Sequence, residues 1–142
     1  MVDAGRIASW LAIAIAAGCT GGCVKNVAPS PSPQTQAFFP CPAAEVFKAT
    51  VHVIEYDELL PIEIRDEARM FLSTKEIRET TPQGPIKSRL SATVRADESG
   101  ANLRIYRDLH SMRNGSWKTI DSDHVLEQRL IRQISARLSG CE

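Results

Sequence analysis

The stretch Ile86–Ala96, "IKSRLSATVRA", decides the fold. Ile86, Ser88, Leu90, Ala92, Val94 and Ala96 fall on one side of an extended chain, and Lys87, Arg89, Ser91, Thr93 and Arg95 on the other. Strict alternation of period two predicts a β-strand with one face buried and one face wet. A sheet built from such strands needs cover on one face only.

Downstream, "DESG" (Asp97 to Gly100) is a turn, and Leu103, Ile105 and Leu109 continue a partner strand. Arg107 falls on the apolar face in that register, which predicts a bulge or an edge position there. Asn114-Gly115 is a tight-turn signal, and Trp117 to Ile120 form a short further extension. Asp121 or Ser122 then caps a last helix with an apolar stripe at Leu126, Leu130, Ile131, Ile134 and Leu138. Gly140 is its expected terminator.

Upstream, "TTPQGP" (Thr80 to Pro85) is a turn. Met70, Leu72 and Thr74 form one face of a strand, and Leu60, Ile62 and Ile64 form another, alternating with Glu63 and Arg65. From Ala43 the residues Val46, Phe47, Thr50, Val51, Val53 and Ile54 keep helical spacing, with Pro42 suited to the first helical position and Pro61 stopping the helix near Glu58 or Leu59. The expected fold is therefore α+β, in the order α-β-β-β-β-α, with an antiparallel sheet and two helices packed on one face. The domain is expected to span residues 41–142.

Ahead of it, Ile7 to Ala17 carries no charge but is shorter than the roughly 20 apolar residues of a bilayer span. Preceded by Arg6 and followed by small residues, it fits the apolar core of an export signal spanning residues 1–18, although Asp3 weakens the positive charge. The competing reading, a buried helix, leaves the Gly- and Cys-rich ending and the Pro/Ser tract unexplained. Ala16-Ala17-Gly18-Cys19 resembles the lipobox of bacterial lipoproteins, with Ala16 where the family more often has Leu. The resemblance implies lipidation of Cys19 and cleavage before it; Cys23 is a second candidate. Thr20 in place of Asp implies outer-membrane anchoring, facing the periplasm. Attached acyl chains contribute about 0.8 kcal/mol per buried CH₂, enough in twos or threes for a stable membrane tether.

Residues 19–40 then form the lipidated N-terminus and a linker. Pro29, Pro31 and Pro33 favour extended conformation, giving a reach of roughly 60 Å at about 3.1 Å per residue. Phe38 and Phe39 stand out in this polar run, as a contact with the domain edge or as part of a partner site. In element order the domain is similar to the helix-grip domains found in a lipoprotein of the bacterial β-barrel assembly machine. Export to an oxidising compartment favours a disulfide, and Cys41 and Cys141 bracket the domain; a free or intermolecular cysteine is the alternative. Closing a loop of about 100 residues contributes up to about 4.7 kcal/mol in the chain-entropy model.

Lys+Arg and Asp+Glu are equal at 17 each, which argues against a nucleic-acid binder driven by bulk positive charge. The histidines His52, His110 and His124 lack metal-ligand spacing, and no phosphate loop or nucleophile elbow is present, so no catalytic residue, metal or cofactor is assigned. The most suggestive constellation is the polar sheet face: Lys87, Arg89 and Arg95, with Arg104, Tyr106, Asp108 and His110 on the neighbouring strand. Trp117, beside Arg113 and Lys118, is either a recognition tip or a core lid. Such a face suits an anionic partner in the envelope, or it is an ordinary solvated surface. These features point to a non-enzymatic protein-binding or envelope-assembly module held to the membrane by its lipid. The alternative is a binder of a small apolar or lipidic ligand held between sheet and helices. The lipobox has a direct check: Cys19→Ser abolishes incorporation of labelled fatty acid, whereas continued labelling moves the anchor to Cys23 or removes it.

Overall fold

The computed structural model describes residues 35–141. The segment expected to be an export signal (residues 1–18), the expected lipidation site Cys19, Cys23 and the expected linker as far as Gln34 lie outside the described residues. The elements in chain order are β1 (Gln36–Phe39), α1 (Ala43–His52), a π-helical turn (Val53–Asp57), β2 (Ile62–Asp66), β3 (Phe71–Thr74), β4 (Ile77–Thr81), β5 (Gly84–Asp97), β6 (Gly100–Arg113), β7 (Ser116–Ile120) and α2 (Val125–Arg137). The fold is α+β, with a seven-stranded antiparallel sheet and two helices.

The alternating stretch is the middle of β5, and it pairs with β6 without a break over 12 positions, from Ile86 opposite Ser111 to Asp97 opposite Gly100. Arg107 sits opposite Leu90 in this continuous register, so of the two expectations the bulge is absent; on the other side of β6 Arg107 falls outside the pairings with β1 and β7, which is the expected edge position. Asn114 and Gly115 both have positive φ (50° and 76°) and join β6 to β7, as the tight-turn signal requires.

Four strands are expected between the helices; there are six, and a seventh precedes α1. β3 and β4 run in line along the outer edge of β5, pairing with residues 91–93 and 84–88. At the break between them Leu90 donates its backbone N–H to the Thr74 hydroxyl (3.0 Å), so a side chain substitutes for the missing ladder bond. β2 lies outside β3 and carries an irregularity between Ile62 and Ile64. Along the outer edge of β6 the in-line pair is β1, on residues 101–104, and β7, on residues 109–113. β1 precedes Cys41, where the domain is expected to begin: Gln36–Phe39, which composition alone assigns to the linker, pairs with residues 101–104 of β6. Phe39 enters the core at 6% exposure, while Phe38 points outward.

α1 supplies Val46, Phe47 and Val51 to one core cluster, joined by Val53 and Ile54 of the π-helical turn. The sheet contributes Leu72, Leu90, Ala92, Val94, Leu103 and Ile105, and α2 contributes Leu130 and Ile134. The Thr50 hydroxyl, fully buried here, donates to the Val46 carbonyl (2.7 Å) and so costs little. Pro42 precedes the helix rather than opening it, and its carbonyl accepts from Glu45 and Val46.

α2 departs from expectation at both ends and in its facing. It is preceded by His124 in the left-handed region (φ 60°), and the capping oxygens come from Ser122, which accepts from His124 N–H (3.1 Å), and Asp123, which accepts from Val125 N–H (3.2 Å). Its last residue is followed by Leu138 with negative φ, so Gly140 makes no left-handed cap. Leu130 and Ile134 are fully buried, but Leu126, Ile131 and Leu138 only partly so, and the third fully buried position is Glu127.

Cys41 and Cys141 are paired as a disulfide, with Cα atoms 5.4 Å apart and a sequence separation of 100. The ends of the helical layer are further joined by two bidentate forks, Arg129 to Glu58 (2.8 and 2.7 Å) and Arg137 to Asp57 (3.0 Å each).

Gly100 starts β6 where β1 crosses it, and a Cβ there would overlap the Phe39 carbonyl oxygen and press on the Phe38 ring. Gly100→Ala is expected to lower the unfolding free energy by about 1–3 kcal/mol in urea titrations. Gly140→Ala, where a Cβ meets nothing within 4 Å, should leave it within about 0.5 kcal/mol.

Candidate functional site

Residues directly opposed across an antiparallel pair share a face, so the β5–β6 register defines the surface opposite the helices. Lys87 faces His110, Arg89 faces Asp108, Ser91 faces Tyr106, Thr93 faces Arg104, and Arg95 faces Asn102. β7 adds Thr119, opposite His110, and Trp117, opposite Met112. β1 adds Gln36, opposite Arg104, and Phe38, opposite Asn102. All the residues singled out for partner binding therefore stand on one sheet face. They do not form one cluster, since Lys87 and Arg95 are eight positions apart, about 26 Å along the strand.

At the β7 end the positive charges are already matched. Lys87 Nζ lies 3.3 Å from Glu76 and 5.0 Å above the Trp117 ring. Trp117 is thus neither a free tip nor a core lid: its ring is half-buried beside the lysine on the sheet face. Arg89 pairs with Glu63 (3.2 Å), which reaches the face from the irregularity in β2. His110 Nε2 is 3.0 Å from Asp108, and its Nδ1 is 3.4 Å from the Thr119 hydroxyl, so the imidazole is oriented from both sides. A hollow of about 240 Å³ lies among Glu76, Lys87, Ser88, Arg89, Asp108 and His110.

At the β1 end the charges are unmatched. Among the described residues neither Arg95 nor Arg104 has a carboxylate within ion-pair distance. The nearest acidic residue along β5, Asp97, instead accepts from the Asn102 side chain (3.0 Å). The two arginines border a hollow of about 280 Å³ with Gln36, Thr93, Leu103 and Asn102. Two exposed aromatic side chains stand on the same face, Phe38 opposite Asn102 at 48% exposure and Tyr106 two residues along β6 from Arg104 at 53%. Guanidinium forks beside exposed rings can take a carboxylate or phosphate bidentately and cover apolar surface at the same time.

Sequence reasoning misses Glu63 and Glu76, which decide which cations are free. Neither has a spacing relation to β5; both reach it only through the sheet. Phe38 stands out in the sequence, but its place beside the arginines depends on the pairing of β1.

Comparison with protein-family models and with curated proteins returns no match.

Hydrogen bonds to Glu76, from Arg78 first and Lys87 second, hold its carboxyl below the ordinary carboxylate value. A depressed folded-state value means that its stabilising contribution is present above the unfolded-state pKa and is lost as pH falls through the folded one. Urea midpoints measured from neutral to acid pH should therefore show wild type above Glu76→Gln near neutrality, with the gap closing in acid.

Proposed function

We propose that the chain is the precursor of an outer-membrane-anchored, periplasm-facing lipoprotein, lipidated at Cys19, whose domain is a non-enzymatic binding module for another envelope protein. The observation that carries the binding reading is the Arg95–Arg104 corner: two arginines without carboxylate partners among the described residues, with exposed Phe38 and Tyr106 on the same face. Arginine and aromatic side chains dominate the energetics of protein interfaces, and an unmatched guanidinium pair selects an acidic partner surface. The matched Lys87–Glu76 and Arg89–Glu63 pairs make the other end of the face a weaker anion site.

The export part of the reading rests on the signal-like segment and the Ala16-Ala17-Gly18-Cys19 lipobox. The Cys41–Cys141 pair agrees with an oxidising compartment. In this reading the sheet with its two helices is a helix-grip-like module, and the residues ahead of β1 are the tether.

The alternative, a small apolar ligand held between sheet and helices, needs unfilled space over the small residues of β5. Ala92 is 1% exposed and belongs to the packed core, and Ala96 is exposed near the end of the strand, so neither lines an enclosed space, which favours surface binding instead.

Co-purification from detergent-solubilised membranes tests the reading. Wild-type protein should retain a stoichiometric protein partner, and Arg95→Glu with Arg104→Glu should reduce retention by at least about tenfold without moving the unfolding midpoint. Retention unchanged by the double substitution removes the arginine corner from the interface. A protein that elutes alone with a stoichiometric organic ligand establishes the alternative.

A further inference from the structure

The outer edge of β6 is interrupted. β1 pairs with residues 101–104 and β7 with residues 109–113, leaving residues 105–108 outside both pairings. The corresponding break on β5 is healed by Thr74, but here the gap opens onto a cavity of about 200 Å³ that reaches the first turn of α2.

Its walls hold Arg107 on the sheet side and His124 and Glu127 on the helix side. Glu127 is fully buried, and among the described residues neither of its carboxylate oxygens has a hydrogen-bond partner. Arg107 Nε and His124 Nδ1 are likewise buried and unpartnered. Among the described residues, four of the six buried side-chain polar atoms without a partner line this one cavity. His124 Nδ1 approaches Glu127 Oε1 only to 3.6 Å, and Arg107 forms no ion pair with Glu127. A buried carboxylate left without a partner, near a guanidinium whose Nε–H is also buried and unused, is costly unless something between them satisfies both; Arg107 itself is only half-buried.

We infer that this cavity binds a small zwitterion of the α-amino-acid type, its ammonium group on Glu127 and its carboxylate on Arg107. An ammonium donates to both carboxylate oxygens, and a carboxylate accepts from the otherwise unused Arg107 Nε–H. A metal ion fits less well: no group of three or more His, Cys, Asp or Glu side chains assembles among the described residues, and Arg107 places a positive charge beside the site. Residues 105–108 lie outside both strand pairings, and Tyr106 and Arg107 of this stretch line the same cavity. The site is separate from the Arg95–Arg104 corner and does not depend on the binding role proposed for it.

Thermal unfolding of the full chain with millimolar glycine, alanine or serine tests the inference, with methylammonium, acetate and N-acetylglycine as single-charge controls. The zwitterions should raise the unfolding midpoint progressively with concentration, and the controls should not. Glu127→Gln, nearly isosteric, should weaken the response at least tenfold. If that variant does not fold, competition between glycine and N-acetylglycine on wild type, read by calorimetry, decides the matter alone. An equal response to methylammonium overturns the zwitterion in favour of a simple cation site. Absence of any response to the zwitterions overturns the site itself.

Discussion

The β5–β6 hairpin is the constraint on which the other elements depend. Its two strands, 14 residues each, are more than twice the length of every other strand, and every flanking strand except β2 is paired directly to one of them. Because side chains alternate strictly along a strand, a slip of one residue in this pairing would turn Leu90, Ala92 and Val94 to solvent and Arg89 and Arg95 to the core. The two-residue turn between Asp97 and Gly100 fixes the register at one end, and burial of Leu103 and Ile105 against α1 and α2 holds it along the length. The helices need only cover what this hairpin already displays.

Length also creates the fold's irregularities. No flanking strand is as long as β5 or β6, so each outer edge is covered by two short strands in line, with a joint between them. One joint is closed by a hydroxyl from Thr74; the other lies beside a buried carboxylate and opens onto a cavity. The open sheet face inherits a similar division. Acidic residues arriving from β2 and from just ahead of β4 neutralise one end, and the end covered by β1 keeps two guanidinium groups without a carboxylate partner among the described residues.

Much of this is legible in residue order. The alternation from Ile86 to Ala96, the Asn114-Gly115 turn and the helical spacing from Val46 to Ile54 each report a local constraint, and local constraints survive in sequence. What escapes depends on long-range pairing. β4, "IRETT", has a single apolar residue and is extended because β5 lies beside it. β1 is four residues after a Pro/Ser tract, and only its place on β6 makes it a strand. Glu127 escapes for a different reason. A glutamate in a helix reads as solvent-facing, and the stripe through Leu126 and Ile131 predicts a facing rotated away from the observed one. His124 is a poor sequence signal for a helix start, because the capping oxygens belong to Ser122 and Asp123 before it. The candidate site is therefore readable as a face, but not as a pattern of matched and unmatched charge.

The disulfide divides the domain mechanically. Cys41 and Cys141 close a covalent ring around both helices and six strands, whereas β1 lies outside it, held to β6 by only four paired positions. Tension applied to the chain ahead of Thr35 would reach β1 first, peel it from the edge of β6 and then stop at the ring. Phe39 would leave the core in that event, and Phe38 and Gln36 would leave the arginine corner, while the hairpin and its helices stayed folded. The element that completes one end of the open face is thus also the domain's mechanical fuse.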